Sequence, residues 1–243
     1  MFLVMLFHPT QSLFVGTFPM GWATIINMCA LSATPAWGPK FATFTWVLWW
    51  IDAAISLIIC IGLPILQFTR HDQSFDKITA MWLLPVVTTV VAAASGGIVA
   101  TILPPAHARL TLIVSYILLG AGLSLAFMIM ALYFARLSIY KIPPPALIVS
   151  CFLPVGPCGQ GAFALLKISS VLYDLSKSTG AALGSPSSAT AEEARFMALA
   201  IYGTSIPFAL LLWGLGLFWL IVAVYVLVDL WWVSKLSFNL GWW

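Results

Sequence analysis

Charged side chains are scarce in this chain. Lys, Arg, Asp and Glu together make up 7% of its 243 residues, against about 25% in an ordinary soluble domain. A conventional water-facing surface on all sides is therefore excluded. The ten basic and seven acidic residues are scattered and leave a net charge of only +3, so no basic stripe of the kind nucleic acid requires is present. Histidine is equally sparse: His8, His71 and His107 stand alone, without H-E-x-x-H or other metal-ligand spacing. No metal or cofactor is expected. There is no G-x-S-x-G elbow, and Asp52 and Asp229 fall at different depths, which rules out an intramembrane aspartyl pair. These absences argue against an enzyme. Cys29, Cys60, Cys151 and Cys158 form no C-x-x-C pair and read as small core residues. Met1 to Phe7 is apolar but lacks a basic start and a small-residue cleavage site, so it is no signal peptide, and it is too short to span a bilayer.

What the chain does have is apolar length. Hydrophobic residues make up 62% and the mean hydropathy is +1.07. A spanning helix needs about 20 such residues, and the chain divides readily into segments of that kind. The fold class is all-α: a polytopic membrane protein of six to seven transmembrane helices in one domain, 1–243. The segments pair into hairpins at about 13–66, 78–134 and 146–233, with the start of a further helix at 238–243. Lys167 to Arg195 reads as a long polar loop. Trp37, Trp231, Trp232, Trp242 and Trp243 sit near segment ends, as in an aromatic belt. Short loops on one side hold Arg70, Lys77, Arg136 and Lys141, with Lys235 near the end of the chain; those on the other hold Lys40 and Arg109. The positive-inside rule then puts both chain ends in the cytoplasm.

Odd segments differ from even ones. Phe18-Pro19-Met20-Gly21, Leu84-Pro85-Val86-Val87 and Leu153-Pro154-Val155-Gly156 place a proline in each odd segment, 66 and 69 residues apart. The unit is a repeated hairpin of one interrupted and one regular helix, an arrangement that points to a transport path. Half-helix N-termini carry partial positive charge and suit anions. That fits a chain with no Lys or Arg inside any predicted span. The pathway candidates are Gly16, Phe18, Pro19, Gly21, Thr24 and Asn27 in the first segment. Pro85, Thr88 and Ser95 follow in the third, and Pro154, Gly156, Gly159, Gln160 and Phe163 in the fifth. Taken singly, the hydroxyls, Thr17 and Thr89 included, suit helix–helix or back-bonding better than ligand binding. Gly156 to Gly161 lacks the Lys-Ser/Thr of a phosphate loop. Asp52, near the middle of the second span, has two readings: a buried polar tie between helices, or a proton-coupling site.

The same residues carry a resemblance. His8-Pro9, Ser12-Leu13-Phe14, Gly16 to Gly21 and Thr24 to Asn27 resemble the fungal sulfite efflux pumps. So do Trp49-Trp50-Ile51-Asp52, Ala93 to Gly97, Lys141 to Pro144, and Leu153-Pro154-x-Gly156-Pro157-x-Gly159-Gln160-Gly161-x-Phe163. The wider group includes malic acid transport proteins, a bacterial tellurite-resistance channel homologue and plant slow anion channels. The resemblance implies ten helices in five hairpins around a pore lined by the five odd helices and occluded by a phenylalanine. This chain would supply the third to eighth helices, a partial version of that fold. The first hairpin, most of the ninth helix and the occluding phenylalanine are expected to lie outside it. The implied function is sulfite efflux across the plasma membrane. The alternatives are malate or another C4-dicarboxylate, or a truncated, non-transporting membrane subunit. The implied partners are a small inorganic or organic anion, the lipid bilayer, and a second copy or a completing chain.

Overall fold

Lipid offers no hydrogen-bond partners, so a spanning segment must pair its backbone within its own helix. The computed structural model describes residues 6–9, 11–70, 74–142, 145–180, 183 and 190–233, and these are helical almost throughout. Six stretches are long and apolar enough to cross a membrane: Gln11–Trp37, Pro39–Arg70, Ala80–Ile102, Pro105–Tyr140, Leu147–Thr179 and Ala191–Asp229. Their main α-helices are α1 (Thr17–Met28), α2 (Pro39–Arg70), α3 (Leu83–Val99), α4 (Pro105–Tyr140), α5 (Val155–Thr179) and α6 (Ala191–Val233). Pro143-Pro144, the middle of the long loop and the expected further helix at 238–243 lie outside the described residues.

Local chemistry sets the turns. Past α1 the first stretch continues through a π-helical turn, Cys29–Ala33, to Trp37. Gly38 then adopts φ +86, a conformation suited to glycine. Pro39 starts α2, where no intrahelical N–H is needed. Helix α5 ends at Gly180, left-handed with φ +67, whose N–H bonds the Ser176 carbonyl. Helix α6 begins with a reciprocal cap: Thr190 N–H donates to Glu193 Oε2 at 2.7 Å, and Glu193 N–H donates to Thr190 Oγ1 at 3.3 Å. Arg195 Nη2 donates to the Lys177 carbonyl at 3.2 Å and closes the hairpin. At the other end of the bundle the buried Arg136 donates from Nε to the Asp76 carbonyl and from Nη1 to the Lys141 carbonyl. It thereby ties the loop before α3 to the end of α4.

Two expectations are corrected here. The fifth span does not stop at Leu166. Ile168, Val171, Leu172 and Leu175 continue its apolar face, and helix α5 runs on to Thr179. Lys167 therefore belongs to the helix of the fifth span rather than to a loop. Nor do the repeated prolines break helices midway. Each lies just after a 3₁₀ segment, at the entry to an α-helix: Pro19 after Gln11–Gly16, Pro85 after Ala80–Trp82, and Pro154 after Pro145–Phe152. In a first turn the missing N–H costs little, so the α-helix continues beyond each proline.

The six helices form two layers. α1, α3 and α5 make an inner row with α3 in the middle. Outside them α2 packs on α1 and α3, α4 on α3 and α5, and α6 on α5. Helix α3 is the core: 89% of an 18-residue apolar stretch of its span is buried, against 28–44% for the corresponding stretches of the other five. Its central run, Ala92-Ala93-Ala94-Ser95-Gly96-Gly97, keeps the helix thin enough for neighbours on several sides. A Cβ on Gly96 would meet Ser115 Oγ of α4 and lie 2.8 Å from the Trp49 ring of α2. Gly122 of α4 in turn fits against Val86 and Thr89 of α3. Trp49, fully buried, donates from Nε1 to the Ala92 carbonyl at 2.9 Å. Ile51, Ile58 and Ile61 of α2, on the opposite side, are exposed and suited to lipid.

Gly96→Leu should consequently separate α3 from both α2 and α4. Overpacking costs about 1–3 kcal/mol or more, so a clear fall in melting temperature and a broadened size-exclusion peak are expected. Gly21→Leu is the control, since nothing lies near a Cβ at Gly21, and it should melt close to the wild type.

Candidate functional site

The inner row exposes one side of α1 and one side of α5, with α3 between them. On α1 the exposed residues are Thr17, Phe18, Gly21, Thr24, Ile25 and Met28, spaced at three and four as one helix face requires. On α5 they are Gly156, Gly159, Gln160 and Phe163, continued by the half-buried Lys167 and Ser170 and the exposed Asp174. Glycine, threonine and glutamine thus occupy the exposed faces of these two helices together with two phenylalanines, Phe18 (60% exposed) and Phe163 (45%). No acidic side chain lies on α1 or α3.

The predicted pathway residues divide into two sets. Phe18, Gly21, Thr24, Gly156, Gly159, Gln160 and Phe163 lie on the open side. Gly16, Pro19, Pro85, Thr88, Ser95 and Pro154 are buried between helices. Gly16 is a contact glycine, because a Cβ there would lie 2.6 Å from the Leu84 carbonyl oxygen. The first and third helix entries therefore touch backbone to backbone. Thr88 donates to the Pro85 carbonyl at 2.7 Å and reaches the Ser56 carbonyl of α2 at 3.2 Å. It joins helices rather than facing a lumen. Thr17 and Thr24 sit on the open side but donate to their own helix, to the carbonyls of Phe14 and Met20. Their oxygen lone pairs remain outward, while their protons are already used. Asn27 is half-buried and its Oδ1 has no hydrogen-bond partner among the described residues.

Asp52 is 1% exposed and lies on the face of α2 that packs against α3. Trp49, one turn before it, bonds Ala92; Ser56, one turn after it, accepts from Thr88. The carboxyl is thus enclosed between two interhelical bonds. Neither carboxylate oxygen has a partner among the described residues. A carboxyl in that setting carries a desolvation cost that only the surrounding packing offsets. It is not on the open side.

Two features escaped the sequence reading. One is Lys167, assigned there to a loop. The signal was present in the i, i+3, i+4 apolar spacing of Ile168, Val171, Leu172 and Leu175, which continues the helix past a single lysine. The other is a tie at the opposite end of α2: Trp46 Nε1 donates to Thr111 Oγ1 at 2.9 Å, and its ring stacks on His107 with centroids 4.2 Å apart. A cavity of about 480 Å³ also lies between α4, α5 and α6, lined by residues such as Leu119, Leu123, Phe127, Phe208 and Leu211. It is apolar and includes none of the predicted pathway residues.

Repeated hairpins and proline-marked helix entries are shared by the odd helices, and two of these, α1 and α5, keep an exposed face that carries glycine and small polar residues. The family described as SLAC1, voltage-dependent anion channel, matches residues 1–243. The chain belongs to this family. It is 42% identical over 247 residues to the sulfite efflux pump SSU1 of Arthroderma benhamiae, covering 100% of this chain and 61% of that protein. It is 32% identical over 186 residues to the sulfite efflux pump SSU1 of Saccharomyces cerevisiae, covering 65% of this chain and 40% of the relative. A malic acid transport protein of Schizosaccharomyces pombe is 24% identical over 161 residues, or 66% of this chain and 37% of that protein. The chain thus spans about three fifths of the length of the pumps it matches along its whole extent. No solved structure matches. As a member of the SLAC1 family, with six helices long and apolar enough to cross a bilayer, this is an integral membrane protein, and the relatives named here are transporters.

Asp52→Asn tests the two readings of the buried acid. Because the carboxyl faces α3 and not the open side, the variant should fold normally and keep its transport rate within about twofold, with an unchanged pH profile. A flattened profile in a flux assay between pH 5 and 8 would instead assign Asp52 to proton coupling.

Proposed function

We propose that this chain serves sulfite efflux across the plasma membrane, as part of a sulfite efflux transporter. Sulfite leaves along the open side of the inner row, between α1, α3 and α5. The observation that carries this reading is the 42% identity to a sulfite efflux pump along the entire chain. Matching relatives of that kind come from several fungi. The physical case is consistent with it. A small oxyanion crossing a bilayer needs replacement for part of its hydration and no fixed negative charge beside it. Gly21, Thr24, Asn27, Gly156, Gly159 and Gln160 offer small or polar surface, and Phe18 and Phe163 narrow it. Both chain ends lie in the cytoplasm in this proposal. The outer edges of α1 and α5 pack against further helices, either from a longer polypeptide or from a second copy.

Malate or another C4-dicarboxylate is the second substrate reading, favoured by the similarity to the malic acid transport protein. A non-transporting membrane subunit is the third.

Growth on sulfite separates them. Expression in a yeast strain lacking its own pump should restore growth at inhibitory sulfite, and cells preloaded with labelled sulfite should lose it faster than the empty-vector strain. Uptake of labelled malate without sulfite rescue would establish the dicarboxylate reading. Neither activity from a chain shown to reach the plasma membrane would establish the subunit reading.

A further inference from the structure

Helix α5 carries a cation that the sequence reading placed outside the membrane. Lys167 falls within the span Leu147–Thr179 and continues the stripe of Gly156, Gln160 and Phe163 at spacings of four, three and four residues, that is, on one helix face. Its stem lies on the backbone of α3: a Cβ on Gly97 would be 3.2 Å from Lys167 Cγ. Gly97 is five residues short of Ile102, where the α3 span ends. At 1.5 Å per residue that places this level about 8 Å inside the helix end. Glycine at 97 makes room for the methylene stem, and Lys167 as a whole is half-buried, so it keeps partial access from the exposed face of α5.

No ion pair neutralises this charge among the described residues. Helices α1 and α3 have no ionisable side chain that could face it. The acid nearest to it in sequence on α5, Asp174, is seven residues further along and is paired with Lys177 at 3.4 Å. An unopposed cation between low-dielectric walls concentrates anions at its level, and an ionisable residue within a span is costly enough to call for a function.

We propose that Lys167 is the fixed charge that draws the transported oxyanion onto the inner row, at one mouth of the path beside Gly97. This rests on the anion-transport reading above and adds to it a residue that sets anion capture.

The test uses the purified chain in sealed lipid vesicles loaded with sulfite. Lys167→Gln should slow efflux about tenfold at low ionic strength, equivalent to about 1.4 kcal/mol, while Lys167→Arg should stay within about twofold of wild type. The deficit of Lys167→Gln should shrink at about 0.5 M salt, where screening shortens the reach of a surface charge to a few ångströms. No loss with Gln, equal loss with Gln and Arg, or a loss that salt leaves unchanged would overturn the proposal. A wild-type chain that moves no sulfite would defeat the transport reading instead. In that event the same vesicles are treated with a membrane-impermeant amine-acetylating reagent and Lys167 modification is read by mass spectrometry. Acetylation that slows as sulfate replaces a large organic anion at constant ionic strength supports anion capture at Lys167. A lysine that stays unmodified, or is modified at the same rate with sulfate, rejects it.

Discussion

Between Val86 and Gly97, helix α3 carries no side chain larger than valine, and the other helices are arranged around that fact. Lipid gives helices no hydrophobic reason to associate, so close backbone approach and interhelical hydrogen bonds must hold them. The thin surface of α3 lets the Trp49 ring and Ser115 reach Gly96 and lets Gly122 of α4 lie against Thr89 two turns away on the same face. It also lets the Lys167 stem rest on Gly97. Trp49 to Ala92 and Thr88 to Ser56 then bond α2 to α3 across the same interface. A larger side chain at Gly96 or Gly97 would push α3 away from α2, α4 or α5.

The same constraint explains why polarity is distributed as it is. Hydroxyls on α3 serve packing: Thr88 and Thr89 return their protons to the carbonyls of Pro85 and Val86. The flanking inner helices have an open side, and there the residues are glycine, threonine, glutamine and phenylalanine. Charge is confined to Lys167 and, one span-end further, the Asp174–Lys177 pair, with Lys177 also 4.0 Å from the Tyr173 ring.

Much of this was legible in the residues. Span positions, hairpin pairing, the proline-marked repeat and the family all follow from apolar runs and their punctuation, since backbone satisfaction in lipid leaves few alternatives to helices. The ends were less legible. The extension of α5 was hidden by Lys167, a charge that ordinarily signals a membrane boundary. The start of α6 is written as Thr190-Ala191-Glu192-Glu193, a capping box at the end of a stretch whose composition signals a loop. The prolines marked the right places but the wrong event, because a 3₁₀ segment before each one turns a break into a helix entry.

By itself, the sequence determined that this is an all-α membrane protein of repeated hairpins in the SLAC1 family, because length, apolarity and motif order do not depend on which helix lies beside which. Only the tertiary structure decided which face each polar residue occupies. Thr88, Ser95 and Asp52 sit at helix interfaces, whereas Thr24, Gln160 and Lys167 lie toward the open side. Helical periodicity places a residue on a face, but the neighbour that covers that face comes from another hairpin, 30 residues or more away in cases such as Thr88 and Ser56.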